Sequence, residues 1–279
     1  MHKIKAITVI LSPSRSFLFV PGNRPDRFDK ARRSGAHEVI VDLEDAVAPE
    51  EKDGARAHVA NWERRNETIV RINGCDSPWF NADMQMIGEQ GVARVMLPKA
   101  EPAAVEMLAG GLEHCSIIAL IETAAGYLNI RDVTRNNAVK QLAFGHLDFG
   151  MDIGAIEGDR ELDPVRLGLV LESRRAGLAA PIEGVTPDWS DAGAFAQAVR
   201  RARSIGFGAK LCIHPNQVRL VNDGFLPTAE ELAWAQRVLK AIEAGGSGAI
   251  AVDGKMVDLP IAARARAIVA GAALAPSFE

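Results

Sequence analysis

The chain has little cysteine and no pattern in it. Cys75, Cys115 and Cys212 are the three cysteines among 279 residues, and none belongs to a C-x-x-C or Cys/His cluster. A disulfide framework and a zinc site are therefore excluded as organising features. Reduced, buried thiols in a cytoplasmic protein are the expectation. No apolar run reaches the ~20 residues that span a bilayer. The opening stretch MHKIKAITVILSPSRS has a short apolar run without a small-residue cleavage site, so neither a signal peptide nor a membrane span is expected there. Neither sign of charge dominates: the net charge is −4, which speaks against a nucleic-acid surface. No G-x-G-x-x-G follows the first strand-like run, and no G-x-x-x-x-G-K-[ST] occurs anywhere. Ser12, Ser14 and Ser16 lack a nucleophile elbow. Dinucleotide-fingerprint, P-loop and serine-hydrolase chemistry lose their usual carriers.

What is present is a period. Composition is ordinary for a globular chain, 48% hydrophobic and 24% charged, and the length allows a large core without covalent staples. Short apolar runs alternate with helical patterns: SFLFVPG, EVIVDLEDAV, TIVRING, ARVMLPK, SIIALIETAAG, QLAFGHLD, AAPIEGV and GAKLCIHP. Runs of this length bounded by turn residues read as strands buried on both faces. Their ends fall at Val20, Asp42, Arg71, Leu97, Glu122, Asp148, Glu183 and His214, roughly 22 to 35 residues apart, the period of a βα unit. Such alternation implies a parallel sheet with right-handed crossovers. Eight units close most naturally as a (β/α)8 TIM barrel. A doubly wound open sheet is the alternative, and it lacks its fingerprint here. One helix is expected over 123–133 and others over 163–177 and 190–204. After Pro215 the period stops. NQVRLVNDGFLP reads as a connection, 228–244 as a helix, AGGSGA as a flexible linker, IAVDGKMVD as a hairpin about Asp253-Gly254, and 260–271 as a last helix. Residues 1–225 are thus the expected barrel, and 226–279 an appended lid or oligomer-contact segment.

The strand ends carry the chemistry. In a barrel the C-terminal rim of the strands is the catalytic face, and here it gathers Glu44, Asp45, Arg71, Lys99, Glu122, Asp148, Glu183 and His214. Any one of these alone has an ordinary explanation, because strand ends meet solvent. The gathering of so much charge on one rim is the signal. Glu122 stands where its apolar run stops, and a lone carboxylate cannot stay buried unpaired. With Asp148 one βα unit further on, it forms a pair suited to Mg2+, which takes one or two carboxylates plus waters and substrate oxygens. Glu44 and Asp45 could hold metal-bound waters. Arg71 offers a planar fork for a substrate carboxylate. Metal plus arginine is a receptor for a 2-oxo acid. Arg24 and Lys30, in a basic cluster after the first strand, are candidates for phosphates. His146 reads as a loop histidine and His214 as structural.

The motifs RSFLFVPGNRPDRFDKA, VDLEDAVAPEEKDGAR, RING, LPKAE, LIETAAG, FGHLDFGMDIGA, IEGV, IHPNQ and VDGKMVDLP occur in that order. Together they resemble the citrate lyase β-subunit and malyl-CoA/citramalyl-CoA lyase family of the HpcH/HpaI aldolase superfamily. The resemblance implies a TIM barrel, a homotrimer or hexamer, Mg2+, and an acyl thioester substrate. It implies Glu122 and Asp148 as metal ligands, Arg71 as the 2-oxo-acid arginine, Glu44 and Asp45 as the acidic pair beside the metal, and Arg24 and Lys30 on coenzyme A phosphates. It also implies Asp258 as a catalytic carboxylate supplied by a neighbouring subunit. Leu147 and Glu183 depart from the family pattern, where an acid and an aspartate are common. The expected activity is reversible Claisen cleavage of a 3-hydroxy-3-carboxyacyl-CoA, such as a malyl, citramalyl or citryl thioester, into an acyl-CoA and a 2-oxo acid. The alternatives are a metal-dependent aldolase on a free 2-oxo acid, and a β-subunit fed by an acyl carrier protein. Neither a nucleic-acid nor a membrane partner is expected.

Overall fold

A computed structural model of the chain describes residues 14–155, 160–244 and 250–273. Eight parallel strands close into a barrel in sequence order: β1 (Ser16–Pro21), β2 (Glu38–Asp42), β3 (Ile69–Arg71), β4 (Arg94–Leu97), β5 (Ser116–Ile121), β6 (Val139–Phe144), β7 (Ile182–Glu183) and β8 (Ala209–Cys212). The last strand pairs with the first, Phe17 opposite Leu211, so the sheet has no free edge. Around it run α1 (Phe28–Arg32), α2 (Lys52–Asn61), α3 (Phe80–Gln90), α4 (Pro102–Gly111), α5 (Ala124–Leu128), α6 (Ile130–Arg135), α7 (His146–Asp152), α8 (Asp163–Ala176), α9 (Ala192–Ile205) and α10 (Pro215–Gly224). Then come α11 (Ala229–Ala244), an antiparallel hairpin of β9 (Ile250–Val252) and β10 (Lys255–Val257), and α12 (Leu259–Ala273). The TIM barrel and the hairpin at Asp253-Gly254 are as expected. Among the described residues no helix is long and apolar enough to cross a membrane.

Strand alternation divides the core in two. Phe17, Ile40, Ile69, Met96, Ile118, Leu120, Ala143, Ile182, Ala209 and Leu211 fill the barrel interior. Their neighbours one position along, such as Val39, Val41, Val70, Val95, Ala119 and Leu142, pack outward under the helices. A third, smaller cluster of Ala235, Val238 and Ala265 joins α11 to α12, with Val252 and Val257 of the hairpin against it.

Several expectations shift. The sixth strand stops at Phe144 rather than reaching Asp148: the Gly145 N–H makes the last ladder bond, to the Ile121 carbonyl, and α7 begins at His146. The helix expected over 123–133 is two pieces meeting at Asn129. NQVRLVNDGFLP is helix α10 rather than a connection. His214 caps it, its Nδ1 accepting from the Asn216 N–H, while Gln217 Oε1 accepts from the Ile213 and His214 N–H groups. This reciprocal cap starts a helix whose Val218 and Val221 are buried. Cys115 and Cys212 are buried as expected, but Cys75 is exposed in the turn after β3. Burial pushes the Cys115 thiol up to about 11 and the Cys212 thiol up to about 12, so neither is a nucleophile near neutrality. The opening stretch and the AGGSGA linker lie largely outside the described residues.

Candidate active site

Strand parity decides which rim residues face the barrel mouth. Asp42, Arg71 and Glu122 each stand two positions beyond an interior residue, namely Ile40, Ile69 and Leu120. They continue the inward face past the apolar plug. With Asp45, Gly145, His146, Leu147 and Asp148 they line a cavity of about 320 Å³. Ala46 and the apolar Phe19, Leu120, Phe144, Val185, Leu211 and Ile213 complete it. The structure thus brings together Arg71, Asp45, Glu122 and Asp148 from four separate βα units.

The centre of the arrangement is a residue that the sequence reading did not nominate. Asp42 takes Arg71 bidentately, Nε to Oδ1 and Nη2 to Oδ2, both at 2.7 Å. The same carboxylate accepts the backbone N–H groups of Glu44 at 2.9 Å and Ala46 at 3.0 Å. The loop that follows β2 is therefore wound around Asp42. Arg71 Nη1 then meets Glu44 at 2.9 Å and Asp45 at 3.3 Å. Its guanidinium lies 4.9 Å from the Phe19 ring centroid. The edge of the fork that would clamp a substrate carboxylate is already taken by Asp42, so the Nη1 edge is what faces the acids of the mouth. Burial alone would lower the Arg71 pKa, but Asp42, Glu44 and Asp45 more than reverse that and hold it above its ordinary value. Parity was the missed signal: Asp42 ends β2 on the same inward face as Ile40.

Glu122 is 4% exposed. Its Oε2 accepts the Lys99 N–H at 2.9 Å. Lys99 adopts φ 44°, a left-handed backbone uncommon for a side-chain-bearing residue. That turn aims the amide at the carboxylate. Immediately after Glu122, Thr123 Oγ1 caps α5 by accepting the Gly126 N–H, so the chain leaves the mouth at once. Gly145 leaves room for the acid: a Cβ there would stand 2.3 Å from Glu122 Cγ. Burial pushes the Glu122 carboxyl up to about 7. The Lys99 amide and Arg71 offset part of this, while the charges of Asp148 and Asp45 add to it. Burial likewise pushes Glu44 up to about 8, against the pull of Arg71. Asp148 is exposed in the first turn of α7 rather than at a strand end.

A hard cation fits this donor set. Two carboxylates, one buried and raised toward neutrality by its surroundings, leave the remaining positions to water and substrate oxygens. Among the described residues no group of three or more His, Cys, Asp or Glu could hold a metal by itself. That excludes the closed site typical of structural zinc, not an open two-carboxylate site.

The other candidates lie elsewhere. Lys52 is buried behind the rim, donating to the Leu43 and Glu44 carbonyls and to Asn73 Oδ1, each at 2.7 Å. Asn73 is in turn held by Asp83 through its backbone and side-chain N–H groups. This network sets the second and third loops, and only the tertiary structure reveals it. Arg24 pairs bidentately with Asp26 at 3.0 Å, and Lys30 is exposed on α1, so neither lines the mouth cavity. Glu183, one past interior Ile182, points outward to Arg166 at 2.9 Å. It is part of a buried ion pair, not of the mouth. His214 is structural, as expected, and its ring stacks on Trp189 at 4.4 Å. His146 opens α7 and lines the cavity rather than lying in a loop. Asp258 does not line the cavity; it is exposed and its Oδ1 accepts the Ile261 N–H at the start of α12.

Residues 15–215 match the model of the family described as HpcH/HpaI aldolase/citrate lyase. The chain belongs to this family. It is 33% identical to a (3S)-malyl-CoA thioesterase of Cereibacter sphaeroides, over 88% of this chain and 90% of that one. It is 32% identical to an L-malyl-CoA/beta-methylmalyl-CoA lyase of the same organism, over 92% and 94% respectively. The crystal structure of protein CitE from Mycobacterium tuberculosis, in complex with magnesium, acetoacetate and coenzyme A, superposes with a TM-score of 0.85 at 32% identity, covering 93% of this chain and 98% of that one. The HpcH/HpaI family is one of lyases, and its barrel is the one described above.

Proposed function

We propose that this HpcH/HpaI family member is a Mg2+-dependent carbon–carbon lyase that cleaves a 3-hydroxy-3-carboxyacyl-CoA into an acyl-CoA and a 2-oxo acid. The observation that carries the reading is Glu122: a buried acid raised to about 7 at the bottom of the mouth, with Asp148 beside it and no permanent cation of its own except the shared Arg71. The CitE crystal structure with magnesium, acetoacetate and coenzyme A supports it, at 32% identity over nearly the whole chain.

Glu122 and Asp148 would hold Mg2+. When bound there, Mg2+ supplies Lewis acidity to the substrate hydroxyl and carboxylate. The Nη1 edge of Arg71 orients that carboxylate, and Glu44 and Asp45 position water at the metal. Phe19, Leu211 and Val185 keep bulk water from the reacting carbons. In cleavage the hydroxyl gives up its proton to water held by Glu44 and Asp45, its oxygen becomes the 2-oxo carbonyl, and the electrons of the C2–C3 bond pass to the thioester as an enolate. Asp258 protonates C2 of that enolate; in condensation it removes the same proton. Arg24 and Lys30 hold the coenzyme A phosphates, with Arg24 released from Asp26.

Asp258 does not line the mouth of its own chain, and in this reading it serves a neighbouring subunit's mouth, with residues 226–279 acting as a lid within a cytoplasmic homotrimer or hexamer. Met256 and Leu259, 69% and 73% exposed, flank Asp258 and are apolar surface for such a contact. The thioesterase relative favours a second reading, hydrolysis of the same thioester, and an acyl carrier protein is the alternative thiol. The deciding test incubates malyl-, methylmalyl-, citramalyl- and citryl-CoA with Mg2+ and measures 2-oxo acid and free thiol separately. A 2-oxo acid without free thiol is the lyase result; free thiol alone is the hydrolase result. Glu122→Ala and Asp258→Asn each lower turnover by about a thousandfold or more. Mixing the two variants restores part of the activity, because a mixed oligomer contains an intact pair. Full activity in either variant would refute the assignment.

A further inference from the structure

The mouth is divided by strand. Strands β2, β3 and β5, with the start of α7, supply Asp42, Arg71, Glu122 and Asp148. Strands β8 and β1, adjacent in the closed barrel, and the turn after β7 supply Leu211, Ile213, Phe19 and Val185 to the same cavity. The charged side chains that the sequence places on this second arc are turned away from it. Glu183 points outward to Arg166, and Lys210 Nζ donates to the Gly184 carbonyl and lies 5.7 Å from the Phe195 ring of α9. Both follow from parity, since Glu183 and Lys210 each sit one position from an interior residue, Ile182 and Ala209.

We infer that the substrate carries an alkyl substituent, and not a second carboxylate, on the part of its carbon skeleton that rests against β7, β8 and β1. This rests on the lyase reading above. Among the described lining residues the permanent cation is Arg71, and it already serves Asp42, Glu44 and Asp45. A further substrate carboxylate against Val185 and Leu211 would lose its water with no counter-charge beyond the already shared Arg71 over the Phe19 ring, which is unfavourable. An alkyl group there gains by burial. Leu147, 47% exposed beside Asp148, extends the apolar wall over the charged side. His146 is the polar group at the seam, its Nδ1 set over Gly184. The alkyl group has two sources, the acyl half (C2 of the thioester) or the 2-oxo-acid half (C3), and the arc recognises either.

The test compares kcat/KM of the full chain with Mg2+ across malyl-CoA (no substituent), methylmalyl-CoA (methyl on C2), citramalyl-CoA (methyl on C3) and citryl-CoA (carboxymethyl on C3). The better methyl ester exceeds malyl-CoA by about tenfold and citryl-CoA by about a hundredfold. Which methyl ester leads identifies the source. Malyl- or citryl-CoA cleaved as well as the better methyl ester overturns the inference and leaves the lyase reading standing. If no ester is cleaved, the lyase reading falls, and calorimetric binding to the Mg2+-loaded chain decides the inference alone. There, the better methyl ester binding about tenfold tighter than citryl-CoA supports it, and equal binding overturns it. In Ile213→Arg, a position already 41% exposed, the disadvantage of the carboxymethyl compound shrinks by about tenfold. An unchanged ratio in that variant means the arc does not read the substituent.

Discussion

On β2 and β3, Asp42 and Arg71 meet at 2.7 Å and face into the barrel mouth; on β7 and α8, Glu183 and Arg166 meet at 2.9 Å and face away from it. Both pairs are buried, and both join an acid at a strand end to an arginine on another element. What separates them is one residue of phase. Asp42 shares the face of Ile40, whereas Glu183 alternates with Ile182. The same chemistry therefore lines the mouth cavity in one arc of the rim and ties a helix to the barrel in the other. Charge at a strand end is thus a weak guide to function until the strand's inward face is known.

The sharpest way to break this comparison is to remove the two acids separately. Asp42→Ala frees Arg71 from its bidentate partner and unwinds the loop that holds Glu44 and Asp45. Activity falls by about a thousandfold, with about 3–5 kcal/mol of stability lost to the unpaired buried charge. Glu183→Ala costs a similar amount of stability, but kcat/KM per folded molecule stays within about threefold of wild type. Urea melts alongside initial rates separate the two quantities. Equal loss of specific activity in both variants would show that the outward pair is not merely structural.

A smaller effect is expected from two glycines on neighbouring strand ends. In Gly145→Ala the new methyl meets Glu122 Cγ at 2.3 Å, so the carboxylate must move and Mg2+ binds about 10–100-fold more weakly by calorimetry. In Gly184→Ala it meets His146 Nδ1 at 2.3 Å and the Phe144 carbonyl at 2.6 Å. That substitution lowers stability by about 1–3 kcal/mol with a lesser effect on Mg2+ affinity.

The smallest expected effect is in pH. Folded Glu122 and Glu44 titrate near about 7 and 8, above their ordinary value of 4.5. Between those limits the metal-free folded state binds more protons than the unfolded state, so its stability falls as pH rises from roughly 4.5 through 8. Saturating Mg2+ favours the ionised acids and flattens that decline. Thermal melts at pH 5.5 and 8, with and without Mg2+, measure it. A metal-free protein that becomes more stable over that range would contradict the burial of these acids.

Much of the scaffold was legible from the chain. The eight strand-like runs sit where the strands are, because a strand buried on both faces leaves an apolar run bounded by turn residues. Glu122 was legible as an acid that burial pushes to a mouth, and the hairpin was legible from Asp253-Gly254. The errors have local causes. QLAFGHLD looks continuous, but Gly145 closes the ladder and Asp148 falls on a helix. NQVRLVNDGFLP looks like a loop, yet the His214–Gln217 cap starts a helix there. Within DLED, Asp42 is the acid in phase with Ile40, but that phase points inward only once the inner face of β2 is known.

The amino-acid sequence by itself determined the βα period, and with it a closed barrel whose strand ends carry acids and an arginine, because hydrophobic periodicity and turn chemistry act over a few residues. Tertiary structure alone decided which of those ends share a cavity. The inward phase of each strand, the bidentate seat of Arg71 on Asp42, the amide that Lys99 turns onto Glu122, and the outward turn of Glu183 all depend on partners some 17 to 29 residues away in the chain. Those contacts exist only once the sheet has closed.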